Sequence, residues 1–527
     1  ASQVTSATSM GMVFRNEDGT QELKDEGCSD FFINVGAFQV ELINPDNTGI
    51  ILVDYNGSTQ ILAQNTNGNA NYSLYANGEL VDSQNNVNFY NGFQFTNLTE
   101  NQYCELHINQ GESTIVKKFT ILVNNTTIES IPDGLEDGIN YNDDTSKATL
   151  VLSAPHKDFI YVAGDFNFWS PTSEYAMKKD STSERFWIEI EGLEQGEIYT
   201  YQYWVSDLSP IDESPSLVKT ADPFSTMVLS PFDDPWIPET SYPNLPEYPY
   251  DFGIEREVTV LKTGQEPYNW QVENFEKPKE EDLIIYEVLI RDFDSERTFQ
   301  NLIDRIDYFK DLNINAIELM PVMEYEGNES WGYNTAFHMS VDKFYGPEDK
   351  LKEFIDLCHQ NGIAVIFDLV MNHVMGRSPM NRMWMNDPDG NGWGEPSEES
   401  PYFNEIATHS YGLGNDFNHQ SSYTQYYTQR VVKHWVEEFK IDGIRWDLTK
   451  GFTQNCNAGD DGCTNAYQQD RVDVLKSYAD YSWSLDPDHY VIFEHLGGSS
   501  EEQQWANYRL GEGKGIMLWG KTHHIIN

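Results

Sequence analysis

At 527 residues the chain is too long for one ordinary domain, and its 39% hydrophobic residues are enough to fill several cores. Asp and Glu number 85 against 33 Lys and Arg, a net charge of −52 that opposes binding to nucleic acid or anionic lipid but is indifferent to a neutral polymer. No apolar run reaches the roughly eighteen residues a membrane span needs, so no transmembrane segment is expected, and the opening residues lack a secretory signal pattern.

Residues 1–135 read as short strands separated by Asn- and Gly-rich turns, at 31–35, 49–53, 113–116 and 119–123. This pattern predicts an N-terminal β-sandwich without visible chemistry. The stretch 13–16 reads as the end of a hairpin whose partner is short or missing.

A second β-unit, 136–230, has candidate strands at 147–152, 158–169, 186–190 and 199–204. Its aromatic residues suit a packed core and, as a second reading, stacking on sugar rings. Val162-Ala163-Gly164-Asp165-Phe166-Asn167 with Trp169, the turn Gly192-Leu193 to Gly196, and the exit Ala221-Asp222-Pro223-Phe224-Ser225 resemble the family 48 carbohydrate-binding module. That resemblance implies a module of the kind that precedes the catalytic barrel in pullulanases, isoamylases and branching enzymes. Residues 231–281, with six prolines from Pro231 to Pro249, read as an extended connection carrying a few strands.

From 282 to 527 short apolar runs alternate with helical periodicity. Candidate strands lie at 283–290, 316–322, 363–370, 443–448, 490–494 and 515–519. Candidate helices lie at 298–312, from Pro347 to a stop at Gly362, at 421–440, at 467–485, and from a capping box at Ser499 with Glu502. This alternation predicts a parallel sheet covered on both faces, either doubly wound or a (β/α)8 barrel. No Gly-rich phosphate loop follows the first strand, which counts against a nucleotide-binding sheet. The expected fold is therefore multidomain: N-terminal β-sandwich domains, then a (β/α)8 TIM barrel with strands one to six visible in this chain and a loop domain inserted at about 375–420.

Three strand ends carry carboxylates: Asp368 before Asn372-His373, Asp447 two residues after Arg445, and Glu494 before His495. Alternation puts Arg445 and Asp447 on one side of their strand, which fits a structural ion pair as well as a nucleophile held ionised. Like charges gathered at three successive strand ends cost stability unless they are used, which favours catalysis. A carboxylate nucleophile and a protonated carboxyl are what retaining glycoside hydrolysis requires. Asp447 beside its cation suits the first role, and Glu494, with no cation two residues away, the second.

These residues resemble glycoside hydrolase family 13, the α-amylase family. Asp368 through Asn372-His373 is similar to its first motif, Gly443-x-Arg445-x-Asp447-x-x-Lys450 to its second, and Val491-Ile492-Phe493-Glu494 to its third; Trp331-Gly332-Tyr333-Asn334 resembles the segment supplying an aromatic platform at the scissile bond. The resemblance implies Asp447 as nucleophile, Glu494 as acid/base and Arg445 as the orienter of Asp447. It implies substrate contacts from Tyr333, His373, Asp368, Lys450 and His495. It also places Asn372 and Asp416 where calcium-dependent members hold a structural Ca²⁺, a hydrogen-bonding role for Asn372 being the alternative; no cofactor is needed for the chemistry. The family's last motif, an Asn-His-Asp ending strand seven, should lie beyond Glu494 and does not occur before Asn527.

Cys358 falls on the apolar face of a predicted helix, and Cys456 and Cys463 bracket a turn-rich segment that a disulfide would close, which requires an oxidising compartment. The expected function is an extracytoplasmic retaining hydrolase of α-glucans such as starch or glycogen, most simply an endo-acting α-amylase. Pullulanase, neopullulanase and branching enzyme are alternatives within the class, and a glucan-binding protein without turnover is the alternative outside it.

Overall fold

The computed structural model describes residues 39–45, 49–66 and 68–520, and four short strands between Met10 and Ile33 by their backbone pairing alone. Of the sequence expectations, Val13, Asn16, Asn34, Val35 and Cys28 lie outside the described residues. The chain divides into two compact units, Ala1–Asn125 and Thr126–Asn527, the first ending ten residues before the expected boundary at 135.

The first unit contains a three-stranded sheet (Phe89–Leu98, Gly57–Asn65, Val40–Asn44) and a five-stranded sheet (Ile50–Asp54, Ser113–Asn124, Gln102–Gln110, Ala70–Ala76, Glu79–Val87). Alternate residues of both sheets, among them Ile61, Ala63, Tyr72, Leu74, Leu106, Ile108 and Ile121, form one core. The segment expected as two strands is one, Ser113–Asn124. Lys117 and Lys118 look like a break in sequence but pair in register with Leu106 and Glu105.

In the second unit two sheets precede the barrel. Gly138–Tyr141, Lys147–Ser153, Arg185–Glu191 and Lys178–Lys179 form one; Phe159–Gly164, Tyr199–Ser206, Val258–Leu261 and Val228–Leu229 form the other, with Leu217–Thr220 pairing at its side. Val258–Leu261 comes from the proline-rich segment, so a boundary at 230 cuts through this sheet. The Gly164-to-Trp169 motif folds into a tight turn: the Asn167 side chain accepts from Gly164 N at 2.9 Å and donates to Val162 O at 2.8 Å, and Trp169 Nε1 donates to Asp165 at 3.0 Å.

The remaining strands are β1 (Ile285–Val288), β2 (Ala316–Leu319), β3 (Ala364–Leu369), β4 (Gly443–Trp446), β5 (Tyr490–Phe493) and β6 (Met517–Leu518), all parallel and each paired with its neighbour in chain order. A doubly wound sheet reverses its strand order at a switch point; this one does not, and it winds in the manner of a TIM barrel. Strand parity separates two apolar sets. Ala316, Ala364, Ile366, Tyr490 and Ile492 pack together on one face with Ile285 and Met517. Ile317, Leu319, Val365, Phe367, Ile444, Trp446, Val491 and Phe493 belong to the core that includes the helices. Those helices are α1 (Phe299–Asp304) and α2 (Ile306–Asp311), α3 (Glu348–Gln360), α4 (Ser422–Glu438), α5 (Gln469–Leu485) and α6 (Ser499–Ala506).

The single helix expected at 298–312 is broken at Arg305, and Gly498 rather than Ser499 caps α6, without the expected capping box. Gly443 is required by packing, because a Cβ there would lie 2.6 Å from Tyr490 Cβ. Among the described residues no helix is long and apolar enough to cross a membrane.

Candidate active site

Asp368 is the fifth residue of β3, Arg445 lies directly opposite it on β4, and Asp447 and Glu494 stand one residue beyond the ends of β4 and β5. Their parity is that of the Ala364, Ile366, Gly443 and Tyr490 face, so all four side chains converge at the C-terminal edge of the sheet, where barrel enzymes carry their chemistry. One guanidinium gathers the acids. Arg445 Nη1 donates to Asp368 Oδ1 and to Asp447 Oδ1, both at 2.7 Å, and Nη2 reaches Glu494 Oε2 at 2.9 Å. The Tyr333 hydroxyl donates to Asp368 Oδ2 at 2.7 Å, and Leu448 N to Glu494 Oε2 at 3.1 Å. Glu494 is the most open of the three acids, with 28% of its side chain exposed against 12% for Asp447 and none for Asp368.

Three acids on one cation change the expected electrostatics. Burial pushes Asp447 up to about 8, with repulsion from Asp368 adding and Arg445 opposing, and burial pushes Asp368 up to about 6. Arg445 therefore does not by itself hold Asp447 in the ordinary carboxylate range: the cluster retains a proton there. Glu494 has no cation two residues away in sequence, but Arg445 reaches it from the neighbouring strand.

Two histidines expected at the substrate are committed to the protein. His373 directs Nδ1 at Asn372 Oδ1 and Nε2 at Tyr333 O, both at 2.8 Å. His495 directs Nε2 at Glu501 at 2.9 Å and Nδ1 at Thr449 Oγ1 at 3.1 Å, so neither ring nitrogen is left for a sugar; burial lowers the pKa of both rings. Lys450 is buried, donates to Asn465 at 2.6 Å and lies over the Tyr411 ring. These three long side chains are turned by contacts with residues distant in sequence.

The side-chain oxygens of Asn372 and Asp416, expected at a structural Ca²⁺, face protein donors. Ca²⁺ takes about six to eight oxygen ligands. Here Asn372 Oδ1 faces His373, and both Asp416 oxygens face protein donors: His409 Nε2 at 2.8 Å on one, Asn404 Nδ2 at 2.7 Å and Thr408 N at 3.1 Å on the other. Among the described residues no group of three or more His, Cys, Asp or Glu side chains is arranged to hold a metal.

Sequence reasoning missed Glu318. It alternates with Ala316 on β2, which was the available signal for the inner face. It is fully buried with no partner for either carboxylate oxygen among the described residues, and burial followed by repulsion from Asp368 pushes it up to about 8.

Residues 291–515 match the family described as alpha amylase, catalytic domain. This part of the chain belongs to the α-amylase family. The chain is 33% identical over 189 residues to malto-oligosyltrehalose trehalohydrolase of Saccharolobus solfataricus, covering 36% of this chain and 31% of that enzyme. It is 24% identical over 409 residues to the 1,4-alpha-glucan branching enzyme of Halothermothrix orenii, covering 71% and 58%. The chain thus spans about a third to somewhat over half the length of these curated relatives. Among solved structures, pullulanase from Paenibacillus barengoltzii in complex with maltohexaose and alpha-cyclodextrin has a TM-score of 0.50 at 18% identity, over 69% of this chain and 53% of that one. At that identity the likeness shows the fold alone.

Proposed function

We propose that the protein is a retaining enzyme of α-glucosidic bonds in starch, glycogen or related glucans. The observation that carries this reading is the fork of Arg445, which bonds Asp447 and Glu494 through adjacent nitrogens. Two carboxyls sharing one guanidinium support the close pairing, on the order of 5 Å, that a covalent intermediate uses, whereas inversion needs roughly 6.5–9.5 Å to admit water. Asp447 attacks the anomeric carbon as the bond to the leaving oxygen breaks, and Glu494 gives that oxygen its proton. Glu494 then takes a proton from water, whose oxygen displaces Asp447 and frees the sugar. Arg445 orients both acids, and Tyr333 with Asp368 forms one wall of the sugar site. No metal or cofactor enters these steps.

Endo-cleavage of α-1,4 links is the simplest form of this activity. Transfer to a sugar hydroxyl is the second reading, favoured by the branching-enzyme alignment that runs through 71% of the chain. The Cys456–Cys463 disulfide supports an extracytoplasmic setting, and the β-unit ahead of the barrel would serve the same polymer as a family 48-type module.

The test is release of reducing ends from amylose and glycogen by the full encoded protein, with Asp447→Asn as control. Release that the variant abolishes is expected; no release, or release equal in the variant, overturns the hydrolase. Pullulan products separate α-1,6 from α-1,4 cleavage, loss of iodine colour without reducing ends reads transfer, and liberated trehalose reads trehalohydrolase action.

A further inference from the structure

The excursion that leaves β3 and returns to α4 is fastened at Asp416. The backbone of Asp416 pairs with His373 just beyond β3, and the side chain of Thr408, one of its donors, also bonds Thr453 O at 2.9 Å in the segment after β4. His409 Nδ1 accepts the Tyr411 amide at 3.1 Å, so its proton sits on Nε2 and the ring is a neutral donor to Asp416 Oδ1 at 2.8 Å. Both side chains are buried. The turn after β4 rests on the same place: a Cβ on Gly451 would lie 3.1 Å from Asn372 Cβ and 3.2 Å from His409 Nε2. Asn372 in turn directs Nδ2 at Asp447 Oδ2, 3.5 Å away.

A calcium ion bonds oxygen at about 2.3–2.6 Å. The His409 ring nitrogen stands 2.8 Å from Asp416 Oδ1, so that oxygen already faces a donor where a calcium ion would need it as a ligand. We propose that His409 closes, by a neutral hydrogen bond and in place of a cation, the joint between the strand ends and the inserted loop, and so acts as a positioning residue for Asp447 through Asn372. Without the His409 donor, Asp416 Oδ1 is left buried and unsatisfied, the loop loosens, and Asn372 no longer braces Asp447. The kinetic arm of the test rests on Asp447 being the nucleophile, while the metal arm does not.

The metal arm measures the thermal midpoint of the full chain in EGTA and in millimolar CaCl₂, together with terbium luminescence using Tb³⁺ alone as probe. An unchanged midpoint and no Tb³⁺ signal are expected; a midpoint lowered by EGTA and restored by calcium overturns the proposal. The kinetic arm compares His409→Gln, whose amide nitrogen takes the place of Nε2, with His409→Asn, whose amide is too short to reach Asp416. His409→Gln should keep kcat within about threefold of wild type, and His409→Asn should lose at least about tenfold in kcat with KM nearly unchanged. Equal kcat in the two variants overturns the positioning role. If the chain proves inactive on every glucan, the hydrolase reading fails separately, and the midpoints of the two amide variants still decide whether His409 holds the joint.

Discussion

Arg445 on β4 places Nη2 2.9 Å from Glu494 Oε2 beyond the end of β5, and so binds the acid/base candidate with the same group that holds Asp447. A lysine in its place is a single ammonium on a flexible stem and cannot present two nitrogens in a fixed fork. Arg445→Lys is expected to lower kcat/KM by at least about a hundredfold, roughly 3 kcal/mol, with unchanged far-UV circular dichroism. A variant within tenfold of wild type would show that charge alone, not the fork, organises the acids.

The proton retained by the acid cluster sets the acid side of the pH profile. In the free site Asp368 is pushed up to about 6 and Asp447 up to about 8, so kcat/KM should fall as pH drops through that interval. Asp368→Asn removes the carboxylate whose repulsion raises Asp447. The remaining activity should therefore show its acid limb at lower pH than wild type, while a limb that moves upward would contradict this electrostatic account.

The four residues of the cluster were legible because strand parity and position at strand ends are local properties: Asp368, Arg445, Asp447 and Glu494 needed only an alternating pattern. The orientations of His373, His495 and Lys450 were not, because each depends on a partner elsewhere in the chain: Tyr333 O, Glu501 and Asn465 respectively. The turns that carry the last two also leave the strand path, with Leu448 at φ +39° and Leu496 at φ +51°, conformations that non-glycine residues seldom reveal in sequence. Val258–Leu261 was obscured by surrounding prolines, and only its pairing with Tyr199–Ser206 makes it a strand of that sheet. The Arg445–Glu494 contact crosses from one strand to the next, so no spacing within a motif announces it.

The Cys456–Cys463 disulfide, with Cα atoms 5.7 Å apart, closes a loop that ends within the helix Asp461–Thr464. Gln468 Nε2 packs 3.4 Å from both sulfurs, and Thr464 and Asn465 hold Ser410 and Lys450. Closure of so short a loop contributes about 2.5 kcal/mol in the chain-entropy treatment. Reduction with a phosphine, or Cys456→Ser with Cys463→Ser, should lower the thermal midpoint by a few degrees in scanning fluorimetry. A midpoint that is indifferent to reduction would mean that this loop contributes nothing to the cooperative unit.

Asp447 also predicts a conflict between activity and stability whose sign follows from where its proton is held. In the unfolded chain the carboxyl titrates near 3.8, and in the folded protein near 8. Between these values the unfolded chain releases a proton that the folded one keeps. The contribution of this group is therefore fully present below about pH 4 and is lost as pH rises through 8. Asp447→Asn cannot ionise and escapes that loss, so at pH 8 the inactive variant should be more stable than wild type, and the gap should close towards pH 4. Glu318, buried without a partner among the described residues and pushed up to about 8, makes the same prediction for Glu318→Gln with the direction unchanged. Thermal midpoints of wild type and both variants at pH 5, 6.5 and 8 check it. Midpoint differences that shrink as pH rises would place the retained proton on neither residue.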